Sequence, residues 1–371
     1  MNDILVIGGN LAGATAAISA ALEGSSVILI EKNKEPYFPP RCGELISCNT
    51  FKSLHLDNIN CNGNQINTMI FAIDKKIYTF NFKKNNFVMF DRYFAEQQLL
   101  KKAEQVGVNL LLGIKMKDFK PSVGVILDYN QLIQGRIIID ASGIASRVSS
   151  QIGLDTRLKP NDIGVCIQSR VTGDFKKDET KWYFHKPYAP FGYAWLFPIN
   201  DNLANIGLIV PGGQKFDISN MLKHYIINMT NNNFEITSTF RACVPLALPL
   251  RNLVKNNVMI VGDAARLSHS ITGGGIDNAI CSGKLAGKIA SKYIHKEINS
   301  LEIYQHVMRL KRLRLNIEYK GKTIAKKSDK RYIKTCQGIF SLLYFFNKIF
   351  PSFFQMNLFE TLDNFSIKDY F

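Results

Sequence analysis

Three short stretches combine residue types and spacings that could do chemistry: two suit a flat or anionic ligand, and the third gathers aromatic side chains. In the first, Gly262-Asp263 is followed by Thr272-Gly273-Gly274-Gly275-Ile276. Successive glycines ahead of a helix leave bare amides at the positive end of its dipole, with no Cβ in the way of a ligand. Asp263 closes an apolar strand, where a carboxylate can accept hydrogen bonds from the hydroxyls of a sugar-like chain. The second stretch is Gly8-Gly9-Asn10-Leu11-Ala12-Gly13, with Glu31 downstream. Gly8 permits a tight turn, Gly13 lets a helix approach a strand, and Glu31 is placed to accept from a ribose hydroxyl. The third is Tyr193-Ala194-Trp195-Leu196-Phe197-Pro198, where Tyr193, Trp195 and Phe197 alternate and so share one face of a strand. Such a face is either ordinary sheet core or an aromatic wall for an apolar ligand.

The surrounding elements must hold these stretches in place. Asp3–Ile7 and Val27–Glu31 are apolar runs of strand length, with an Ala-rich helix through Leu22 between them. That strand–glycine turn–helix–strand order is the context a dinucleotide fingerprint requires. Asn10 stands where a second glycine is usual. It tolerates left-handed backbone better than most residues, so the turn is expected to survive with the side chain aimed outward. A strand from Asn257 to Val261 leads into Gly262, and a helix is predicted from Ile276 to about Ala290. Another helix is predicted from Arg92 to about Val106, and a third from Asp217 to Met229, with Asp217 and Ser219 available as caps. Short half-buried strands are expected at Met69–Ile73, Lys76–Phe82 and Phe87–Phe90. Gly164–Val171, Lys181–His185, Gly192–Pro198 and Leu203–Val210 suit an antiparallel second layer. Ile59 to Asn67 is polar and turn-like.

Composition narrows the classes. The chain has 371 residues, 46% of them hydrophobic and 11% aromatic, ample for a large core. Its seven cysteines form no CxxC pair, so neither an iron–sulfur cluster nor a zinc ribbon is indicated and no metal is expected. An odd, scattered set suits a reducing cytosol. The first strand begins by Ile4, leaving no room for a leader, and no run reaches the roughly 18 apolar residues a spanning helix needs. The net charge of +16 could serve nucleic acid, an anionic membrane or an acidic substrate. No basic module with interleaved aromatics supports nucleic acid.

Taken with Arg92 in Phe90-Asp91-Arg92-Tyr93-Phe94 and the strand Ile137–Asp140 leading into Ala141-Ser142-Gly143, the glycine stretches resemble the FAD motifs of the aromatic-hydroxylase-like flavoproteins. The aromatic strand, followed by Ala204-Asn205-Ile206-Gly207, is similar to the signature of geranylgeranyl reductases, and Arg41-Cys42-Gly43-Glu44 resembles their cysteine–glycine element. The resemblance covers about residues 1–300, with His269-Ser270 where the family has a proline. It implies an α/β (α+β) fold, with a Rossmann-like FAD-binding domain, an inserted antiparallel-sheet substrate domain and a helical C-terminal region. FAD binding would fall to segments 1–54, 91–160 and 245–300, substrate to 55–90 and 161–244, leaving 301–371 as a basic and aromatic tail. The implied FAD contacts are Gly8, Gly9, Asn10, Ala12, Gly13, Glu31, Lys32, Arg41, Cys42, Gly43, Arg92, Ala141, Gly143, Gly262, Asp263, Gly273, Gly274, Gly275 and Ile276. Tyr193, Trp195, Phe197 and Pro198 would meet substrate.

The implied activity is hydride transfer from reduced flavin to an isolated prenyl double bond of a membrane ether-lipid precursor. The substrate is an isoprenoid lipid or a prenyl diphosphate. The electron donor is open between NAD(P)H, ferredoxin and a deazaflavin, and no second glycine-rich strand–helix unit provides a nicotinamide domain. An aromatic-type monooxygenase or a flavin carrier passing electrons to a quinone would share the FAD motifs. The catalytic candidates are Cys42, Tyr193 and Trp195. Cys42 is either a proton source or a small packing residue, and reduced flavin itself could supply the proton with no protein acid involved. Glu44 is a proton carrier or an exposed loop acid, and His269 carries a proton or holds its loop.

The tail changes character. Between Arg309 and Lys334 the stretch is Lys/Arg-rich, with Glu318 and Asp329 as its acids. Ile339 to Phe354 then reads as a short aromatic helix with Ser341, Lys348 and Ser352 as a narrow polar stripe. Three readings fit: a cytoplasmic enzyme attached peripherally to an anionic membrane, a tail packed over the substrate sheet, or a dimer interface.

Overall fold

The computed structural model describes residues 2–54, 63–82, 86–120 and 124–349. Its helices are α1 (Leu11–Leu22), α2 (Cys48–Lys52), α3 (Arg92–Gln105), α4 (Arg147–Gln151), α5 (Ile218–Thr230), α6 (Ile276–Ile294), α7 (Glu302–Val307), α8 (Arg309–Ala325) and α9 (Asp329–Ile349). Among the described residues no helix is long and apolar enough to cross a membrane.

The apolar runs near the N-terminus become the centre of a six-stranded sheet. Its order is Val254–Lys255, Val258–Ile260, Gly135–Asp140, Asn2–Ile7, Val27–Glu31, Asn109–Leu112. All neighbours are parallel except the first pair. Ile4 to Ile7, Val27 to Ile30 and Ile137 to Ile139 are buried throughout, as expected of parallel strands covered on both faces. Helices α1 and α6 approach until their backbones touch. A Cβ on Gly283 would lie 2.2 Å from the Ala12 carbonyl oxygen, and one on Gly287 2.1 Å from that of Ala16.

The first turn departs from expectation. Gly8 takes the left-handed backbone, with φ 106°, and a Cβ there would sit 2.4 Å from the Ala141 oxygen. Asn10 is extended instead, with φ −73° and ψ −173°. Its side chain turns back to accept a hydrogen bond from the Ala12 amide at 3.2 Å, capping α1, rather than projecting outward. The substitution for glycine therefore supplies a helix cap.

A seven-stranded sheet forms the second layer, in the order Ile236–Pro245, Ile163–Thr172, Leu203–Pro211, Tyr193–Pro198, Glu179–Phe184, Thr68–Ile73, Lys76–Asn81. It is antiparallel apart from the pairing of Glu179–Phe184 with Thr68–Ile73. Pleating divides its side chains between two clusters. Ile167, Leu196, Ile206 and Leu208 pack under α5 around the fully buried Tyr225. Tyr193, Trp195, Phe197 and Ile209 lie on the opposite face. Across that face the register sets one row, Phe240–Gln168–Gly207–Trp195–Trp182–Phe71–Tyr78.

Two small sheets complete the layers, Leu45–Ser47 with Phe87–Met89 and Asn64–Ile66, and Leu132–Ile133 with Gly124–Leu127 and Met116–Lys120. Asn64–Ile66 was expected to be turn, but its pairing with Phe87–Met89 makes it a strand; residues 59–62 of that expectation lie outside the described residues. The aromatic helix is the second half of the longer α9. Phe340 and Tyr344 pack on Phe71, Tyr78 and Phe80, with Phe340 and Phe71 ring centroids 4.5 Å apart. Ser341 hydrogen-bonds Tyr78 at 2.8 Å. This part of the tail covers the sheet, while Ile339, Leu342 and Phe345 are exposed. Phe350 to Phe354 lie outside the described residues.

Candidate active site

A cavity of about 500 Å³ opens where the apolar face of the seven-stranded sheet meets the six-stranded layer. Of the residues singled out above, Asn10, Ala12, Arg41, Cys42, Gly43, Arg92, Ala141, Gly143, Tyr193, Trp195, Phe197, Asp263, Gly273, Gly274, Gly275 and Ile276 line it. A second cavity of about 210 Å³ is lined by Gly8, Gly9, Glu31 and Lys32, and shares Asn10, Tyr37, Glu96 and Ala141 with the first. Gly13, Gly262 and Pro198 are not among the lining residues. A Cβ on Gly13 would lie 1.7 Å from the Gly8 oxygen, so its role is close packing beneath the turn. Pro198 ends its strand, and its carbonyl accepts from Asn64 Nδ2 at 3.2 Å.

At the smaller cavity the Glu31 carboxylate is fixed from both sides. The Gly9 amide donates to Oε2 at 2.8 Å and the Asn33 amide to Oε1 at 2.9 Å. The Arg41 guanidinium lies over the Tyr37 ring, 3.9 Å from its centroid, and Lys32 Nζ lies 5.9 Å from the same ring. At the larger cavity, half-buried Asp263 has no hydrogen-bond donor among the described residues. Burial pushes its carboxyl up, and Arg92 works against that. Helix α6 starts at Gly275 without a side-chain cap, leaving its first amides to a ligand. An unpartnered carboxylate, an uncapped helix start and a glycine-lined wall fit FAD, whose ribityl hydroxyls donate and whose ring carbonyls accept.

The reactive candidates sit between these groups and the aromatic wall. Cys42 Sγ accepts from the Glu44 amide at 3.2 Å. Burial raises its thiol pKa, with Arg92 opposing, so the proton stays on sulfur. The neighbouring Glu44 was allowed as an exposed loop acid, but it is 2% exposed. Its Oε2 accepts from Arg170 and Asn205 at 2.8 Å each, and its Oε1 from the Arg92 amide at 3.1 Å. An acid that meets a guanidinium and an amide across 126 and 161 residues of chain is a clasp between layers.

Gln168 makes a second clasp. Its Nε2 donates to the Cys42 carbonyl at 3.0 Å, and its Oε1 accepts from Trp195 Nε1 at 2.9 Å. Gly207 allows this, because a Cβ there would lie 2.4 Å from the Trp195 ring. Tyr193 donates its hydroxyl to the Thr272 carbonyl, joining wall to glycine loop, and burial raises its pKa far from neutrality. His269 faces away from this chemistry. It lies 3.0 Å from Glu318 and 4.0 Å from Asp277; burial opposes its charge, but the two carboxylates push it up to about 10. It holds the glycine loop to α8 as a cation.

Gln168, Arg170, Cys166 and Trp182 are not among the residues singled out from the sequence, and Asn205 is there only as part of the Ala204–Gly207 stretch, with no role assigned. Cys166, Gln168 and Arg170 recur at period two in one strand, a signal of a shared polar face. Trp182 extends the wall, with ring centroids 5.1 Å from Tyr193, 4.8 Å from Phe197 and 5.5 Å from Phe71.

The geranylgeranyl reductase catalytic domain family matches residues 162–244, and the FAD dependent oxidoreductase family matches residues 3–172. A digeranylgeranylglycerophospholipid reductase of Methanosarcina acetivorans is 32% identical over 332 residues, covering 82% of this chain and 79% of that protein. A second such reductase from Methanococcoides burtonii is 29% identical and covers 97% of this chain and 92% of its own. Among solved structures, a geranylgeranyl bacteriochlorophyll reductase-like protein of Thermoplasma acidophilum superposes with a TM-score of 0.81 at 26% identity, covering 90% of each chain. The flavin-dependent brominase Bmp2 matches at TM-score 0.69 and 15% identity, a likeness of fold alone.

Proposed function

The chain belongs to the digeranylgeranylglycerophospholipid reductase family of FAD-dependent oxidoreductases, and on that premise we propose that it saturates geranylgeranyl double bonds of membrane-lipid precursors in the cavity just described. The observation that carries this reading is one cavity with two unlike walls. Asp263, Arg92 and the Gly273–Gly275 loop supply polar groups on one side, and Trp182, Tyr193, Trp195 and Phe197 supply an apolar, water-excluding surface on the other. On this reading segments 1–54, 91–160 and 245–300 hold the cofactor, and 55–90 and 161–244 hold the lipid.

When bound and reduced, FAD supplies a hydride to one carbon of the alkene. An isolated alkene has no carbonyl to polarise, so the chain's task is to position that carbon and deliver a proton to its neighbour. Cys42 is the donor we assign. Its sulfur carries a proton at neutral pH because burial disfavours the thiolate. The Glu44 amide donates to that sulfur, and Gln168 fixes the Cys42 carbonyl. Tyr193 is committed to Thr272 and acts by holding the wall against the loop. Trp195, oriented by Gln168, presses the prenyl chain into place. Asp263 and the first amides of α6 hold the cofactor.

The substrate is met at the anionic surface of a membrane, because a lipid with C20 chains seldom leaves its bilayer. The decisive experiment incubates the chemically reduced holoenzyme, without oxygen, with digeranylgeranylglycerophospholipid and follows product mass. A gain of about 2 Da for each double bond consumed supports the assignment. A gain of an oxygen atom, or flavin reoxidation only by quinone, would overturn it.

A further inference from the structure

We propose that the outer face of helix α8 is the surface that docks this protein on an anionic lipid membrane, an assignment that rests on the lipid-substrate reading above. Four large aliphatic residues, Leu310, Leu313, Ile317 and Ile324, are 61%, 54%, 64% and 54% exposed. At about 100° per residue, their spacing gathers them into one narrow strip along the helix. The opposite side buries Lys311, Leu315, Lys322 and Ala325. An ordinary surface helix turns its apolar stripe inward and its lysines to water. Here a second aliphatic strip faces outward, while the inward side combines buried Leu315 and Ala325 with polar contacts. Lys322 donates to the Leu246 carbonyl, Tyr319 donates to Asp162 at 3.0 Å, and Glu318 pairs with His269 at 3.0 Å.

Charge identifies the occupant. Arg309, Lys320 and Lys327 lie on α8 or just beyond its end, and Lys330, Arg331 and Lys334 follow on α9. All six are exposed, and none of them is ion-paired among the described residues. An aliphatic strip beside unpaired cations suits the boundary between phosphate headgroups and acyl chains. A second copy of this chain would bring the same positive charge to the same place. Nucleic acid would satisfy the charge and leave the aliphatic strip in water. Helix α8 has 17 residues and lies on the membrane rather than through it. The Glu318–His269 pair ties it to the loop that ends in the cavity-lining Gly273, so docking on α8 holds the cavity close to the lipid.

The assignment differs from one that places the aromatic helix in the membrane, since Phe340 and Tyr344 of α9 are engaged with the sheet. It is tested by flotation of the holoenzyme with phosphatidylglycerol vesicles and with phosphatidylcholine vesicles. The double variant Leu313→Ser with Ile317→Ser and the single variant Leu342→Ser on α9 are compared with the unaltered chain. The unaltered chain is expected to float with phosphatidylglycerol only, and to be released between about 50 mM and 500 mM salt. The α8 variant should bind at least about tenfold more weakly, keep its activity on detergent-dispersed substrate, and lose it on substrate in vesicles. Leu342→Ser should float like the unaltered chain. Failure of the unaltered chain to bind at low salt overturns the docking surface together with the membrane reading, while activity in detergent still judges the reductase assignment. Equal binding by the α8 variant overturns α8 alone. Loss of detergent activity would place the strip in the fold, and dimerisation abolished by the α8 substitutions would show that a second copy covers it; either result also overturns the proposal.

Discussion

Replacing Arg170 by Met tests the clasp beside Cys42 most severely. The substitution keeps most of the side-chain volume and removes the only guanidinium among the described residues that contacts the Glu44 carboxylate, at 2.8 Å. The two side chains are 17% and 3% exposed, so solvent cannot take over. Removing one partner of such a buried pair costs about 3–5 kcal/mol, chiefly from the charge left behind. Asn205 and the Arg92 amide still donate to Glu44, which places the expectation toward the lower end of that range. The pH dependence has a defined sign. Burial already raises the Glu44 carboxyl above its unfolded value, with Arg170 opposing. The folded state then holds that proton more tightly than the unfolded chain, so stability falls as pH rises from the unfolded pKa through the folded one. Without Arg170 the folded pKa climbs further. The deficit of Arg170→Met should therefore be largest under alkaline conditions and shrink on acidification. Glu44→Gln in the same chain removes the stranded charge and should recover stability to within about 1–2 kcal/mol of the unaltered protein. Denaturant unfolding at several pH values, with flavin content measured in parallel, reads all of this. A loss below about 1 kcal/mol that is indifferent to pH would refute the clasp.

Other expectations follow from the same geometry. Cys42→Ser should retain FAD and lower the rate of alkene reduction by about 10²-fold or more, the contribution of a positioned acid; an unchanged rate on the natural lipid removes Cys42 as the donor. Gly207→Ala puts a Cβ 2.4 Å from the Trp195 ring, and the displaced indole should cost about 1–3 kcal/mol of stability and raise KM for lipid, both absent if the ring has room elsewhere. The His269 pKa, pushed up to about 10, means its ion pairs stabilise fully below the unfolded value near 6.5 and that this stability is lost as pH rises through about 10; His269→Gln should flatten the alkaline limb of the stability profile. Asp263→Ala should weaken FAD retention by about 1.5–3 kcal/mol in equilibrium dialysis, and tight retention would place the cofactor's hydroxyls elsewhere.

What could be read ahead of the structure divides by range. The nucleotide unit was legible because its signals are local: two apolar runs of strand length, a glycine turn and an alanine-rich helix fall within the first 31 residues. The alternation of Tyr193, Trp195 and Phe197 placed three aromatics on one face for the same reason. Glu44 was not legible, because its burial depends on Arg170 and Asn205, which reach it only once the sheet has paired. Gln168 was hidden in the same way, since its partners are a carbonyl at Cys42 and an indole at Trp195. Asn10 was misjudged by treating it as a stand-in for glycine, when its amide side chain could serve the helix that follows it. Of the three readings of the tail, packing over the substrate sheet holds for Phe340 and Tyr344, which find partners on strands near residue 80; the exposed aliphatic residues of α8 were not legible, because only the docking of that helix decides which of its sides faces out.

The row that crosses the second sheet has an optical consequence. The chain contains two tryptophans, Trp182 and Trp195, and they are register partners that both line the cavity. Ultraviolet-excited tryptophan emission therefore originates entirely at this cavity, with no background from elsewhere in the molecule. Occupancy of the neighbouring cofactor site would quench that emission by energy transfer to the yellow ring, and a prenyl chain entering between ring and wall would shift its colour by displacing water. The protein thus carries its own unlabelled spectroscopic reporter, one whose two components are separable by single replacement of Trp182 or Trp195 with Phe.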